Sequence, residues 1–243
     1  MEQHRFGRWI IVCLALLLAI SSGACGLVEE SPPTPTPTPN ADNLLYNAGF
    51  ESGTDPWIAP EGAGAFDLAD GVARTGTRSA SLTLDSKNGG LSVVGAMQQL
   101  RPTFPELISG YYYVESWPPA GENESIEFVV AVHGGDFGDD RPVHELRFPL
   151  AGLSETPEGT GAGFQFLSRA DPQTGKWTYF AYPVNEAFQR VFGRVPVVWE
   201  GIDVRFEVRP ASDASGAEEG RAVVYFDDLY AGPLTANPNH IGE

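Results

Sequence analysis

Cysteine is nearly missing from this chain. Its 243 residues hold two, Cys13 and Cys25. The first lies inside an apolar leader and the second just after it, so nothing remains for a disulfide. Basic charge is scarce as well: 15 Lys and Arg stand against 32 Asp and Glu, a formal charge of −17. A surface of that sign repels nucleic acid and anionic membranes. The apolar run Trp9 to Ile20 has twelve residues, whereas a helix crossing a bilayer core needs about twenty. No G-x-S-x-G elbow, H-E-x-x-H helix or phosphate loop is present. Glycine and proline are abundant instead, 28 and 20 residues. Both weaken helix interiors, which favours many turns between short strands. With 42% hydrophobic and 19% charged residues the chain can still bury a core.

The first forty residues read as an address and a stalk. Arg5 and Arg8, the short apolar run and the small residues Ser21-Ser22-Gly23-Ala24 have the order of a secretory signal peptide, here residues 1–24. Cys25 resembles the lipid acceptor of a bacterial lipoprotein signal, although Ser22 stands where Leu, Val or Ile is usual. Ordinary cleavage after Ala24 is the alternative. Residues 25–42 form the next segment, in which Pro32-Pro33-Thr34-Pro35-Thr36-Pro37-Thr38-Pro39 lacks hydrophobes to pack and favours polyproline II. Together they predict a protein anchored to a membrane by lipid and held outside the cytoplasm.

Residues 43–234 break into short apolar runs, and residues 235–243 form a tail. Ser79 to Leu84 alternates strictly, with Ala80, Leu82 and Leu84 on one face. Similar strands are predicted at 91–100, 107–116, 125–133, 143–150, 163–168, 177–184, 201–209 and 222–231. The one helical stretch is Asn185 to Phe192, where Ala187, Phe188, Val191 and Phe192 share a face. Nine or more strands separated by turn signals predict an all-β sandwich in one domain.

Three markers make the reading more specific. Asn43-Leu44-Leu45-Tyr46-Asn47-Ala48-Gly49-Phe50-Glu51-Ser52-Gly53 with Pro56-Trp57, then Arg74 to Leu82, then Val224-Tyr225-Phe226-Asp227-Asp228-Leu229 resemble, in order, the opening strand, second marker and closing strand of CenC-type carbohydrate-binding modules (families 4, 9, 22 and relatives). The resemblance implies a galactose-binding-like jelly roll and a non-catalytic module that binds a glycan or polysaccharide. A structural or adhesion module with a protein partner is the rival reading, and a jelly-roll hydrolase or lyase a third. Glu51 and Asp227 are charges set among apolar residues, costly without compensation, and calcium takes oxygens of carboxylates and carbonyls together. By the resemblance, Glu51 and Asp227 are calcium ligands, with backbone carbonyls of Thr77 and Arg78 completing the shell. Otherwise Glu51 pairs with Arg78 and Asp227 accepts backbone hydrogen bonds.

Sugar recognition needs aromatic platforms. In Tyr111-Tyr112-Tyr113 period two sends Tyr112 one way and its neighbours the other, so Tyr111 and Tyr113, with Trp117 at the strand end, are the candidate sugar contacts. Trp57 and Trp177 occupy positions that family members more often fill with core aromatics. Glu200, Asp203 and Glu207 fail the spacing of a glycosidase strand: Glu200 falls on the opposite face, and the other two lie two pleats apart on what reads as a solvated face. The run His133 to Glu145 is dense in acids and histidines but matches no zinc or EF-hand spacing, and reads as an acidic hairpin loop.

Overall fold

A computed structural model describes residues 40–85, 93–100, 103–118, 124–210 and 221–238. The leader, Cys25, the Pro/Thr tract and residues 239–243 of the tail lie outside the described residues. Among the described residues, eleven strands build two facing sheets. Sheet A has the order β1 (Gly64–Ala65), β4 (Val94–Leu100), β10 (Gly201–Pro210), β6 (Glu124–His133), β7 (Val143–Ala151), β8 (Gly163–Phe164). Sheet B runs β2 (Asp67–Asp70), β3 (Arg78–Asp85), β11 (Arg221–Gly232), β5 (Leu107–Ser116), β9 (Trp177–Pro183). This is the two-sheet sandwich that the alternation predicts and the resemblance implies as a jelly roll.

The core follows from period two. Ile126, Phe128, Val130 and Val132 of β6 line up beside Ile202, Val204, Phe206 and Val208 of β10, and all eight are fully buried. From sheet B, Leu82, Val224, Phe226 and Phe180 meet them. Phe128 and Phe148 stack with ring centres 4.2 Å apart. Each such side chain contributes about 1.5–3 kcal/mol by burial. Helix α1 (Val184–Phe192) covers an end of the core with Val184, Ala187 and Phe188 buried and stops at Gly193 in the left-handed conformation. Val191 is left more than a third exposed, so the predicted apolar face is narrower than the sequence suggests.

Two sequence expectations need correction. The opening segment 43–53 is no strand but a chain of bends. Asn47 and Phe50 take positive φ angles of 49° and 59°, which end any extended run there, and of the two marker glycines only Gly53 is left-handed (φ 98°). Asn47 holds the bend by donating to the Gly53 carbonyl (2.7 Å) and accepting from the Ser52 N–H (3.1 Å). Phe50 is thereby fully buried against Trp57. The segment still reaches the last strand, because Leu44 N–H donates to the Ala231 carbonyl and the Asn43 side chain bonds both Leu229 and Ala231. The second correction is Gly163 to Ser168, of which only Gly163–Phe164 pairs as a strand. Beyond it the chain meets β7 through single bonds, Gln165 to Arg147 and Leu167 to Pro149.

Candidate functional site

The outer face of sheet B carries an aromatic array. The registers set Tyr225 opposite Tyr113 and Tyr113 opposite Trp177, and one pleat along they set Tyr111 opposite Tyr179. Partners in register share a face, so five rings stand in two rows across β11, β5 and β9, while Tyr112, Phe180 and Phe226 between them point into the core. Ring centres are 5.9 Å apart for Tyr113–Tyr225, 5.6 Å for Tyr113–Trp177 and 5.2 Å for Tyr111–Tyr179. Arg74 lies over the Tyr111 ring at 4.8 Å, a cation–π contact. Tyr225 is buried and donates its hydroxyl to Glu115; burial, with that bonded carboxylate, pushes the phenol up to about 12. Tyr179 is 38% exposed, and Tyr111, Tyr113 and Trp177 are half-buried.

Of the three predicted sugar contacts, Tyr111 and Tyr113 therefore share this face and Trp117 does not. Trp117 follows the end of β5 and packs against the core beside Gly152. Trp177, expected in the core by the family's habit, stands in the array. The spacing of Trp177 and Tyr179 repeats that of Tyr111 and Tyr113, which was a usable signal. Their adjacency depends on β5 pairing with β9, which no local pattern reveals.

At the predicted calcium locus, the turn 74–78 wraps two carboxylates. Asp227 is fully buried and accepts from the N–H groups of Arg74 (2.6 Å), Thr75 (3.2 Å) and Asp228 (2.7 Å). Burial, with Asp228 alongside, still drives it up to about 7 against those three bonds. Glu51 accepts from the N–H of Thr77 and of Arg78, each at 2.8 Å, and from the Thr77 hydroxyl at 2.9 Å. Partial burial acts to raise its pKa, but these donors and the Arg78 charge outweigh it and the net shift is downward. Gly76 is required here, since a Cβ would sit 2.4 Å from Glu51 Oε1. Thr77 and Arg78 thus meet Glu51 through N–H groups, and the Thr77 carbonyl accepts from Gly71. Among the described residues no three of His, Cys, Asp and Glu stand close enough to hold a metal by side chains alone.

The outer face of sheet A is different in kind. Its rows read Gln99, Asp203, Ala131, Glu145; then Met97, Arg205, Val129, Arg147; then Gly95, Glu207, Glu127, Pro149. Arg147 pairs with Glu127 (2.5 Å), Glu207 (3.5 Å) and Glu145. Arg209 bridges Glu127 (3.3 Å) and Glu207 (3.2 Å), and Arg205 bridges Glu145 and Glu207. Three carboxylates and three guanidiniums interlock, and Glu127 and Glu207 are 1% exposed. Desolvation pushes Glu127 up to about 7 despite Arg147 and Arg209, with Glu207 adding to the rise. The expectation that Glu207 sits on a solvated face is therefore wrong: period two names a face but not whether it is covered. At the β4 edge of this face lies an open hollow of about 430 Å³ lined by Tyr46, Ile58, Met97, Gln99 and Asp203 among others.

Asp136, Asp139 and Glu145 of the 133–145 run are paired within the domain. The run is the β6–β7 hairpin, with His133 against Asp203 (2.7 Å), Asp136 against Arg194 (2.8 Å), and Asp139 against Arg141 (2.8 Å) and the buried His144 (2.9 Å).

No protein-family model matches the sequence, and no curated protein does. Among solved structures, the chain is similar to a family 16 carbohydrate binding module-2 at 17% identity, covering 79% of this chain and all of that one, with a TM-score of 0.46. It is similar also to the CBM22-1–CBM22-2 tandem domain of Paenibacillus barcinonensis Xyn10C (12% identity, 82% of this chain, 52% of that chain, TM-score 0.45) and to the C-terminal family 22 module of Clostridium thermocellum Xyn10B (14%, 80%, 96%, TM-score 0.42).

Proposed function

We propose that this chain is a non-catalytic glycan-binding module, held outside the cytoplasm by a lipid on Cys25. The observation that carries the reading is the outward aromatic array of Tyr111, Tyr113, Trp177 and Tyr179. Aromatic side chains offer large apolar area with a polar handle, the combination that a sugar ring with an apolar face and a rim of hydroxyls requires. The three sequence markers point the same way. The clustered carboxylates of sheet A do not argue for hydrolysis, since a retaining pair needs one free acid and one free nucleophile about 5–5.5 Å apart and here each Glu of the cluster is held by arginine. Calcium is proposed as a structural ion held by Glu51 and Asp227 at the Thr77–Arg78 turn, where its charge would offset Asp227 and tie the start of the domain to its end.

The test is binding of the purified protein to a panel of soluble and insoluble polysaccharides, repeated with Trp177→Ala, Tyr113→Ala and Tyr46→Ala. Loss of at least tenfold in affinity for the first two, with Tyr46→Ala unchanged, supports the array. Loss confined to Tyr46→Ala moves the site to the hollow beside β4. Binding to no polysaccharide, together with capture of a specific protein partner, defeats the glycan reading in favour of an adhesion module.

A further inference from the structure

We propose that Arg74 makes the aromatic face of sheet B selective for a glycan bearing uronic acid residues. The inference rests on the glycan reading of that face and narrows its ligand class. Register places the arginine. Asp227 pairs with Tyr111 across β11 and β5, and the turn 74–78 lies on Asp227 through the N–H groups of Arg74 (2.6 Å) and Thr75 (3.2 Å). The Thr75 hydroxyl adds a bond to Asp228 (2.6 Å). The turn is thereby pinned beside the rings, and the exposed Arg74 side chain reaches over Tyr111 with its guanidinium carbon 4.8 Å from the ring centre.

Its partner sets this arginine apart. Arg78, Arg141, Arg147, Arg194, Arg205 and Arg209 are each paired with a carboxylate. Among the described residues the Arg74 guanidinium has a ring for its contact and no paired carboxylate, although its charge does oppose the burial-driven rise in the Asp228 pKa. A guanidinium stacked by one face keeps its N–H edge open, and that planar fork matches a carboxylate with two parallel bonds. Tyr111 therefore serves Arg74 as a support, and Tyr113, Trp177 and Tyr179 remain as the rings for a sugar face. Tyr111 and Tyr113 are one pleat repeat apart, about 7 Å, so a sugar seated on Tyr113 brings a ring substituent within reach of a long arginine side chain. A neutral sugar offers that edge hydroxyls only, whereas a uronic acid offers a carboxylate. The formal charge of −17 repels a polymer charged at every residue, which makes the carboxylate an occasional group on a mostly neutral chain.

The experiment follows two N–H signals of the purified protein by NMR, Arg74 Nε and Trp177 Nε1, during titration with methyl glucuronide, methyl glucoside or acetate. Both signals should move with methyl glucuronide at one midpoint, about two- to fivefold below that of methyl glucoside, the range of an exposed ion pair. At 500 mM salt the preference should vanish while the methyl glucoside midpoint holds. Arg74→Gln removes the charge but leaves the backbone bond to Asp227, and it should bind the two glycosides alike. Equal midpoints for the two glycosides in the wild type would overturn the inference and leave the glycan reading standing. If methyl glucuronide and acetate move Arg74 alike while Trp177 stays still, the contact is a bare anion site and the inference fails; it fails also if none of the three moves Arg74. If methyl glucuronide moves both signals at the lower midpoint but the protein binds no polysaccharide, the polymer reading fails and the uronic acid seat stands.

Discussion

Arg147 is the hinge of charge balance on sheet A, and removing it gives a large, signed prediction. Its side chain is 10% exposed and meets three carboxylates, Glu127, Glu145 and Glu207. Arg147→Met keeps much of the side-chain volume but leaves those carboxylates with only Arg205 and Arg209. Breaking a buried pair by removing one partner costs about 3–5 kcal/mol, because the other charge stays buried and uncompensated. For a domain of this size each kcal/mol lowers the melting temperature by roughly 2–4 °C, so a fall of about 6–20 °C is expected at pH 8. The loss must shrink as pH falls. Glu127 already stands near 7 against 4.5 with Arg147 in place, and without the arginine it rises further, so the variant takes up protons near neutrality and sheds part of its penalty. Differential scanning calorimetry at pH 8 and pH 5 reads both quantities. A variant as stable as the wild type at pH 8, or one whose deficit grows on acidification, would show that the lattice is not held by charge compensation.

Three other outcomes are expected. In chelator, the wild-type domain should melt higher at pH 5 than at pH 8: Glu127 and Asp227 are both raised to about 7, from 4.5 and 3.8, so the folded form binds more protons between those limits and stability falls as pH rises through 7. A melting temperature that climbs between pH 5 and pH 8 contradicts this. Calcium at a hundredfold excess over its dissociation constant should add about 2.7 kcal/mol, or about 5–10 °C; Asp227→Ala should abolish that response and Asp140→Ala should not, and a wild-type melting curve unmoved by chelator disproves the calcium assignment. Cys25→Ser should release the protein from membranes and end its labelling with palmitate, whereas continued membrane association would point to an uncleaved Trp9 to Ile20 helix.

Where alternation is long and strict, the sequence is a good guide. Leu107 to Ser116 is read to the residue as β5, and Trp177, Gly201 and Ala222 each begin runs whose observed ends differ by one residue or so. Local pattern fails where pairing is short or the backbone is bent. The two-residue strand Gly64–Ala65 has no period to detect, and the opening marker looks extended until Asn47 and Phe50 turn left-handed. The candidate site was half legible for a related reason. Period two places Tyr111 and Tyr113 on one face, but Trp177, Tyr179 and Tyr225 join them only through non-local pairing. Trp117 lies one residue past the strand, where alternation no longer governs which way a side chain goes.

The two outer faces divide the molecule's chemistry. An acid or base that works on substrate must be free to change its protonation and to reach a reacting atom. On sheet A the acid raised toward neutrality, Glu127, is sealed at 1% exposure and bound by arginine, so moving its proton alters stability before it alters any ligand. On sheet B five rings of β5, β9 and β11 share the outer face, and Tyr179 is the most open of them to solvent. Stacking on a ring tolerates pH, salt and the net charge of −17, since it depends on apolar area and ring polarisation rather than on ionic attraction. A chain this acidic repels anionic partners at long range. If the ring-bearing face binds the proposed glycan, recognition there should change little between 50 mM and 500 mM salt, whereas a steep weakening over that range would assign the contact to charge and not to the array.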